Sequence, residues 1–219
     1  MLKLSNIYRA EIKEQKMITT ANFFEQDIIL EDELVRIEPL QERHFELLLP
    51  VAMEETLWLF TVAKINSKET FRKYFDAALA EKQNKKSYPF AYFNKQTQQY
   101  AGCTRYGNIE FAHKKVEIGW TWIHPSLQGT GFNKHCKFLL LSFGFETLGL
   151  NRIELKTSML NLKSQKAMLK IGAVKEGVFK KNIINDDGTT RDTVYFSFIN
   201  NEWAAIKQNI FKEFITPLT

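Results

Sequence analysis

Only two cysteines, Cys103 and Cys136, occur among the 219 residues. That excludes a disulfide framework and a cysteine-based zinc set, and both read as reduced core thiols of a cytoplasmic protein. The four histidines, His44, His113, His124 and His135, lack metal-ligand spacing, so no metal is expected. The longest nearly apolar run, Phe138 to Phe145, is far too short to cross a bilayer, and no membrane partner is expected. Met1 to Leu4 leads into polar residues without the apolar stretch of a signal peptide. Lysines are spread along the chain in no dense block. The formal net charge of +5 therefore reads as a solvated basic surface that favours anionic ligands, and nucleic acid is not an expected partner.

What is present suits one globular core. Hydrophobic residues make up 44% and charged residues 25%, enough for one domain with appendages. Residues 1–30 read as an extension with a loose helical face at Leu4, Ile7, Tyr8 and Ile12. Residues 31–203 read as the domain and 204–219 as a helical tail. Within the domain, Leu34–Ile37 reads as a strand and Gln41–Leu49 as a helix. Ser67 is a candidate N-cap, with Thr70 behind it, for a helix running to about Asn84. Phe90–Phe93 and Tyr100–Tyr106 bracket a polar turn and read as a hairpin, followed by a strand over Val116–Ile123. A helix is expected over Lys134–Leu148 with Gly149 at C′, then a strand over Arg152–Thr157 and a helix over Leu162–Ile171 stopped by Gly172. Val174–Phe179 and Thr190–Ile199 form a second hairpin around Asp187-Gly188, and a helix over Asn201–Phe214 ends the chain. This alternation predicts an α/β fold, a mixed sheet with helices on both faces.

The most telling segment is Gln128-Gly129-Thr130-Gly131-Phe132-Asn133, between a strand and a helix start. A glycine-rich turn there leaves backbone N–H groups unpaired and converging at the positive end of a helix dipole, which makes a seat for a phosphate or pyrophosphate. It is neither a P-loop, since no Lys-Ser/Thr pair follows the glycines, nor a dinucleotide fingerprint, since Lys134 replaces the third glycine. Asn133 could cap the helix. Lys134 reads first as a solvated helix lysine and second as added charge.

In its context the segment resembles the coenzyme-A signature of the GNAT N-acyltransferases. The ordered set Glu117-Ile118-Gly119-Trp120, His124-Pro125-Ser126, Gln128-Gly129-Thr130-Gly131, Asn161-Leu162-Lys163-Ser164 and Ile171-Gly172-Ala173 is similar to the Rim-type branch, which includes acetyltransferases of ribosomal-protein N-termini. The resemblance covers about Leu34 to Trp203. It implies a single-domain GNAT fold in which a parallel strand pair, Val116–Ile123 and Arg152–Thr157, splays apart. Acetyl-CoA would be the acyl donor. Its pantetheine arm would pair with the backbone of Trp122 and Ile123, its pyrophosphate would sit on Gln128 to Asn133, and Asn161 would contact the arm or simply cap its helix. In the Rim-type pattern the serine matching Ser164 protonates the departing thiolate.

Attack by an amine requires a base. Glu117 is the first candidate and Asp192 the second, the latter also as an amine anchor or a local ion-pair partner. Glu117 would share a strand face with Gly119 and Thr121 unless a bulge intervenes. Trp58, Tyr106 and Trp120 are candidate acceptor contacts, though strand aromatics are more often core; His124 reads as structural. No Cys-His or Ser-His-Asp pattern suggests a covalent acyl-enzyme, so direct transfer in a ternary complex is expected. The acceptor would be a primary amine, with a protein or peptide N-terminal α-amine favoured. A small amine such as a polyamine or aminoglycoside is the alternative enzyme reading, and a non-catalytic acyl-CoA-binding module the alternative outside catalysis. Acceptor choice is expected to lie in the loops Phe60–Ser67 and Lys180–Thr189. A homodimer is compatible with all of this.

Overall fold

The computed structural model describes residues 18–215. The proposed helical face at Leu4 to Ile12 lies outside them. Eight strands form one sheet: β1 (Leu30–Glu31), β2 (Val35–Pro39), β3 (Tyr88–Asn94), β4 (Gln99–Glu110), β5 (Lys115–Ile123), β6 (Arg152–Ser158), β7 (Val174–Ile184) and β8 (Thr190–Ile199). Their order is β1-β2-β3-β4-β5-β6-β8-β7. Among the described residues β5 and β6 are the parallel neighbours; the other pairs are antiparallel. Five α-helices, α1 (His44–Ala52), α2 (Lys68–Gln83), α3 (Phe132–Ser142), α4 (Leu162–Lys170) and α5 (Asn200–Ile210), complete the mixed α/β arrangement.

Local chemistry accounts for the element ends. Ser67 accepts from the Thr70 amide while the Thr70 hydroxyl accepts from the Ser67 amide, a reciprocal cap that starts α2. Asn161 accepts from the Ser164 amide and starts α4. The helix expected to run to Leu148 changes pitch: α3 ends at Ser142 and a π-helical turn spans Phe143–Thr147. The expected terminal helix is likewise shorter, with α5 ending at Ile210 and a 3-10 turn at Lys212–Phe214.

The sheet buries both faces. On one, α1 and α2 close a cluster containing Phe45, Leu48, Phe71, Phe75, Cys103 and Trp122. On the other, α3 and the C-terminal elements close a larger cluster through Val116, Ile118, Cys136, Leu140, Phe196 and Trp203. Phe23 and Ile28, from the segment expected as an extension, are fully buried in this second cluster. Tyr106 belongs there too. It is wholly buried and its hydroxyl donates to the Leu140 carbonyl, so it lies in the core rather than on an acceptor wall.

Candidate active site

β5 and β6 pair only at Lys115–Arg152, Val116–Ile153 and Glu117–Glu154, then part. β6 stays paired to β8 as far as Ser158, and β5 stays on β4 as far as Ile123. The gap between them therefore opens beside Gly119 to Ile123. Its β5 edge is shaped by a bulge. Cys103 pairs with Trp122 and Arg105 with Gly119, so β5 carries one extra residue there, and Trp120 takes a left-handed φ of 51°.

The bulge reverses side-chain parity. Glu117 and Gly119 face the α1/α2 side, whereas Thr121, expected to share their face, turns to α3 and accepts a hydrogen bond from Lys137. Trp122 turns inward among Trp58 and Phe71, with ring centroids 5.6 and 6.1 Å away. Trp58 donates to the Ala52 carbonyl and is a core residue of that layer, not an exposed acceptor contact. Trp120, 39% exposed, lies across Gly107 with the Arg105 guanidinium over its ring.

Backbone alternation corrects the expected edge. The His124 amide donates to Ala101 on β4, and the Trp122 carbonyl sits against Gly102 of the same strand. Thr121 and Ile123 therefore present their backbone to the gap, and Trp122 does not. The Ile123 carbonyl accepts from Gln128 Nε2 at 3.1 Å.

Beyond Ile123 a 3-10 turn over Pro125–Leu127, capped by the His124 ring, leads to the glycine segment. Gly129 and Gly131 have φ of 84° and 97°, and a Cβ on either would meet no protein atom within 4 Å. Gly131, not Asn133, is the N-cap of α3. The backbone N–H groups of Gly129, Thr130, Gly131 and Asn133 have no acceptor among the described residues, whereas the Thr130 side chain is used internally, donating to Leu127. Such a cluster at the start of an 11-residue helix fits a diphosphate. Phe132 is buried in the core beneath it. Lys134 is not aimed at the seat: it ion-pairs with Glu213. Lys163, on α4, reaches the loop instead and donates to Gln128 Oε1.

Ser164 is half-buried on α4. Its amide is taken by Asn161 Oδ1 at 3.0 Å, but its hydroxyl has no partner among the described residues. Glu117 is 3% exposed. Its Oε2 accepts from Lys156 at 2.8 Å and from Asn108 Nδ2 at 2.6 Å. Its Oε1 stands over Gly119, 2.5 Å from where a Cβ would be, and accepts no hydrogen bond from the described residues. A glycine at 119 is thus what leaves room for that oxygen.

Asp192 does not join this group. Its oxygens are taken at 2.8 Å by Lys180 Nζ and the Lys181 amide on β7, and the hydrogen bond from Lys180 foremost holds its carboxyl below the usual range. Its neighbour Arg191 does face Glu117. Burial pulls the guanidinium down, the Glu117 charge opposes that, and Nε is buried with no acceptor among the described residues. Arg191 also donates to the Phe60 carbonyl at 3.2 Å, and the Asp186 amide donates to Val62 at 3.1 Å. The Phe60–Ser67 loop is therefore tied to the β7–β8 hairpin; β7 runs on to Ile184, so of the loop expected over Lys180–Thr189 only residues 185–189 form the turn. Lys156, Asn108 and Arg191 were not singled out in the sequence, where nothing marks them among other polar strand residues.

The profile of the acetyltransferase (GNAT) domain matches residues 35–174. Among curated proteins, the chain is 31% identical over 100 residues to YdaF of Bacillus subtilis strain 168, which is named as a ribosomal N-acetyltransferase, covering 46% of this chain and 54% of that one. It is 32% identical over 93 residues to the uncharacterized N-acetyltransferase YnaD of the same organism, covering 42% and 54%. The chain thus spans about half the length of the curated relatives it matches. The crystal structure of a GCN5-related N-acetyltransferase from Brucella melitensis superposes with a TM-score of 0.79 at 25% identity, covering 88% of this chain and 87% of that one. An acetyl transferase of Salmonella typhimurium that modifies the N-terminal serine of ribosomal protein L7/L12 shares the fold, with a TM-score of 0.69 at 20% identity over 78% of this chain and 99% of that one. With its splayed parallel pair, its bulge and its glycine-capped helix, the chain belongs to the GNAT acetyltransferase family.

Proposed function

We propose that the protein transfers an acetyl group from acetyl-CoA to a primary amine, with the N-terminal α-amine of a protein or peptide as acceptor. The observation that carries this reading is the Glu117 carboxylate, fixed through one oxygen by Lys156 and Asn108 and unpaired at the other among the described residues, beside a strand gap that leads to the unpaired amides of Gly129, Thr130, Gly131 and Asn133. Those amides suit the diphosphate, and the Thr121–Ile123 edge, its Ile123 carbonyl shared with Gln128 Nε2, suits the amide-rich arm.

In this reading the amine nitrogen attacks the thioester carbonyl carbon and forms the C–N bond, while the carbonyl π pair moves onto oxygen. Collapse breaks the C–S bond. The ammonium proton passes to Glu117 Oε1, directly or through water, and the thiolate takes a proton from Ser164, which is reprotonated by solvent. Arg191 Nε suits the carbonyl oxygen next to an α-amine. The name of the relative YdaF supports a chain terminus.

The test is thiol release from acetyl-CoA across a panel of peptides and small amines, with mass spectrometry locating the acetyl group. Turnover of spermidine or an aminoglycoside but of no peptide would replace the terminus with a small amine; saturable acetyl-CoA binding without any turnover would leave a binding module.

A further inference from the structure

Lys137 lies on the sheet side of α3 and is 5% exposed. Among the described residues it makes no ion pair, and its ammonium has one hydrogen-bond partner, Thr121 Oγ1, at 3.1 Å. A buried cation so thinly compensated is costly, so its place needs a reason. The reason lies in what the threonine then does. A hydroxyl that accepts from an ammonium is directed to give its own proton onward. Thr121 and Thr104 are 2.7 Å apart, and Thr104 donates to the Gly119 carbonyl at 3.2 Å. With the ammonium at one end and a carbonyl at the other, the chain has a single direction: Lys137 to Thr121 to Thr104 to Gly119.

The chain ends on the peptide bond of the bulge. Holding the Gly119 carbonyl toward Thr104 on β4 sends the N–H of the same trans peptide, that of Trp120, away from β4 and toward the gap. Trp120 has a left-handed φ of 51°, which a bulky side chain adopts only when its surroundings enforce it.

We propose that Lys137 is a positioning residue for acyl transfer: through Thr121 and Thr104 it holds the Gly119–Trp120 peptide so that the Trp120 N–H points at the thioester oxygen, where negative charge develops. This rests on the reading that the acetyl-CoA thioester occupies the gap between β5 and β6. Glu117 and Lys137 then act from opposite faces of one strand, the first on the amine and the second, at a remove, on the carbonyl. The Lys137 ammonium meets Thr121 and feels Cys136 of its own helix, while the Glu117 charge acts on it from the other face of β5; Tyr92 of β3 lies near Thr104 and Cys136. Burial pulls the ammonium down to about 8, so the chain's direction is lost at mildly alkaline pH.

The experiment compares wild type, Lys137→Met and Thr104→Val, the last of which breaks the chain while leaving the charge in place. Crystal structures of the ligand-free variants are read first. In both, the Gly119 carbonyl is expected to turn from β4 and Trp120 to leave its left-handed φ of 51°; an unmoved peptide overturns the positioning role whether or not the enzyme turns over. In turnover with a peptide acceptor, Lys137→Met is expected to lower kcat by about 10²-fold, with acetyl-CoA affinity within about threefold, and to abolish a decline in wild-type kcat above pH 8. Unchanged kcat, or a loss that only follows loss of coenzyme affinity, overturns the proposal. A moved peptide in both variants with no turnover in wild type would instead sink the acetyltransferase reading and leave the chain's structural role standing.

Discussion

Glu117 and Lys156 meet where the parallel pair ends, Oε2 to Nζ 2.8 Å, with Lys156 two residues past the last β6 rung. The lysine holds the carboxylate in place by one oxygen and leaves the other over Gly119. For a base that must take a proton at a fixed spot, that division matters more than the ion pair's own stability. Glu117→Gln keeps the shape and loses the charge. It should depress kcat/KM about 10²-fold near neutral pH and recover part of the loss at higher pH, where more acceptor amine is already neutral. A pH–rate profile checks this, and a profile parallel to wild type at similar rate would reduce Glu117 to a structural partner.

Among the described residues nothing holds the Ser164 hydroxyl. Removing it should cost no packing, since its amide, not its side chain, serves the Asn161 cap. Ser164→Ala is expected to lower kcat at least about 10²-fold with unchanged acetyl-CoA affinity and melting temperature. A loss under about threefold would pass the proton-donor role to water.

Gly131→Val tests the diphosphate seat. A Cβ there meets none of the described residues within 4 Å beyond its chain neighbours, so its folding cost is the backbone strain of φ 97°, about 1–3 kcal/mol. Gly149→Val supplies the control, since Gly149 has φ of 62° and equally open space at the C-terminal end of the π turn. Both variants should melt lower, and only Gly131→Val should lose coenzyme affinity, by at least about tenfold in calorimetry. Equal affinities would remove the diphosphate from the glycine segment.

An acid-labile network lies away from the gap. The Gln41 amide donates to His44 Nδ1 at 3.0 Å, which leaves Nε2 to carry the proton toward Glu38 at 2.9 Å. The imidazole is thereby kept neutral, and burial lowers its protonation range. Burial alone would raise the Glu38 carboxyl, but hydrogen bonds from Tyr100 and His44 and the charges of Arg36 and Arg43 outweigh it and hold Glu38 low. Both depressions give stability that is present at neutral pH and lost on acidification. The loss begins near the unfolded histidine value of about 6.5 and continues below the unfolded glutamate value of about 4.3. His44→Gln should flatten the fall in melting temperature between about pH 6.5 and 5, leaving the lower part, which belongs to Glu38.

The acceptor can be tested by paired peptides of one sequence, one with a free terminus and one blocked but bearing a single lysine. At pH 7 an α-amine is neutral in roughly one molecule in six to ten and a lysine in about one in 2,500. The free-terminus peptide should react faster. Preferential lysine acetylation, located by mass spectrometry, would overturn that acceptor.

Much of this architecture is written in local chemistry. The Ser67–Thr70 cap, the glycines after α4 and the π turn, and the alternation of β3 to β6 follow from neighbours in sequence, and the structure keeps them. The bulge does not, because nothing about a tryptophan announces a left-handed φ; that residue alone turned Thr121 from its expected face and took Trp122 off the expected edge. Lys156, Asn108 and Arg191 converge on the Glu117 neighbourhood from three different strands, so no spacing could reveal them. Lys137 left a trace: it sits three residues before Leu140, on the apolar stripe of α3, where a lysine has no business unless something answers it.

Three rungs join the five strands on one side of the gap to the three on the other. In mechanical terms the sheet is two plates on a short hinge, with α3 and the C-terminal helix bearing on both through one shared core. The width of the gap is therefore a property of neither plate. It is set by the angle between them, and a change in core volume under α3 or at Trp203, far from any reacting atom, alters that angle and with it the distance between Glu117 and whatever Ser164 faces.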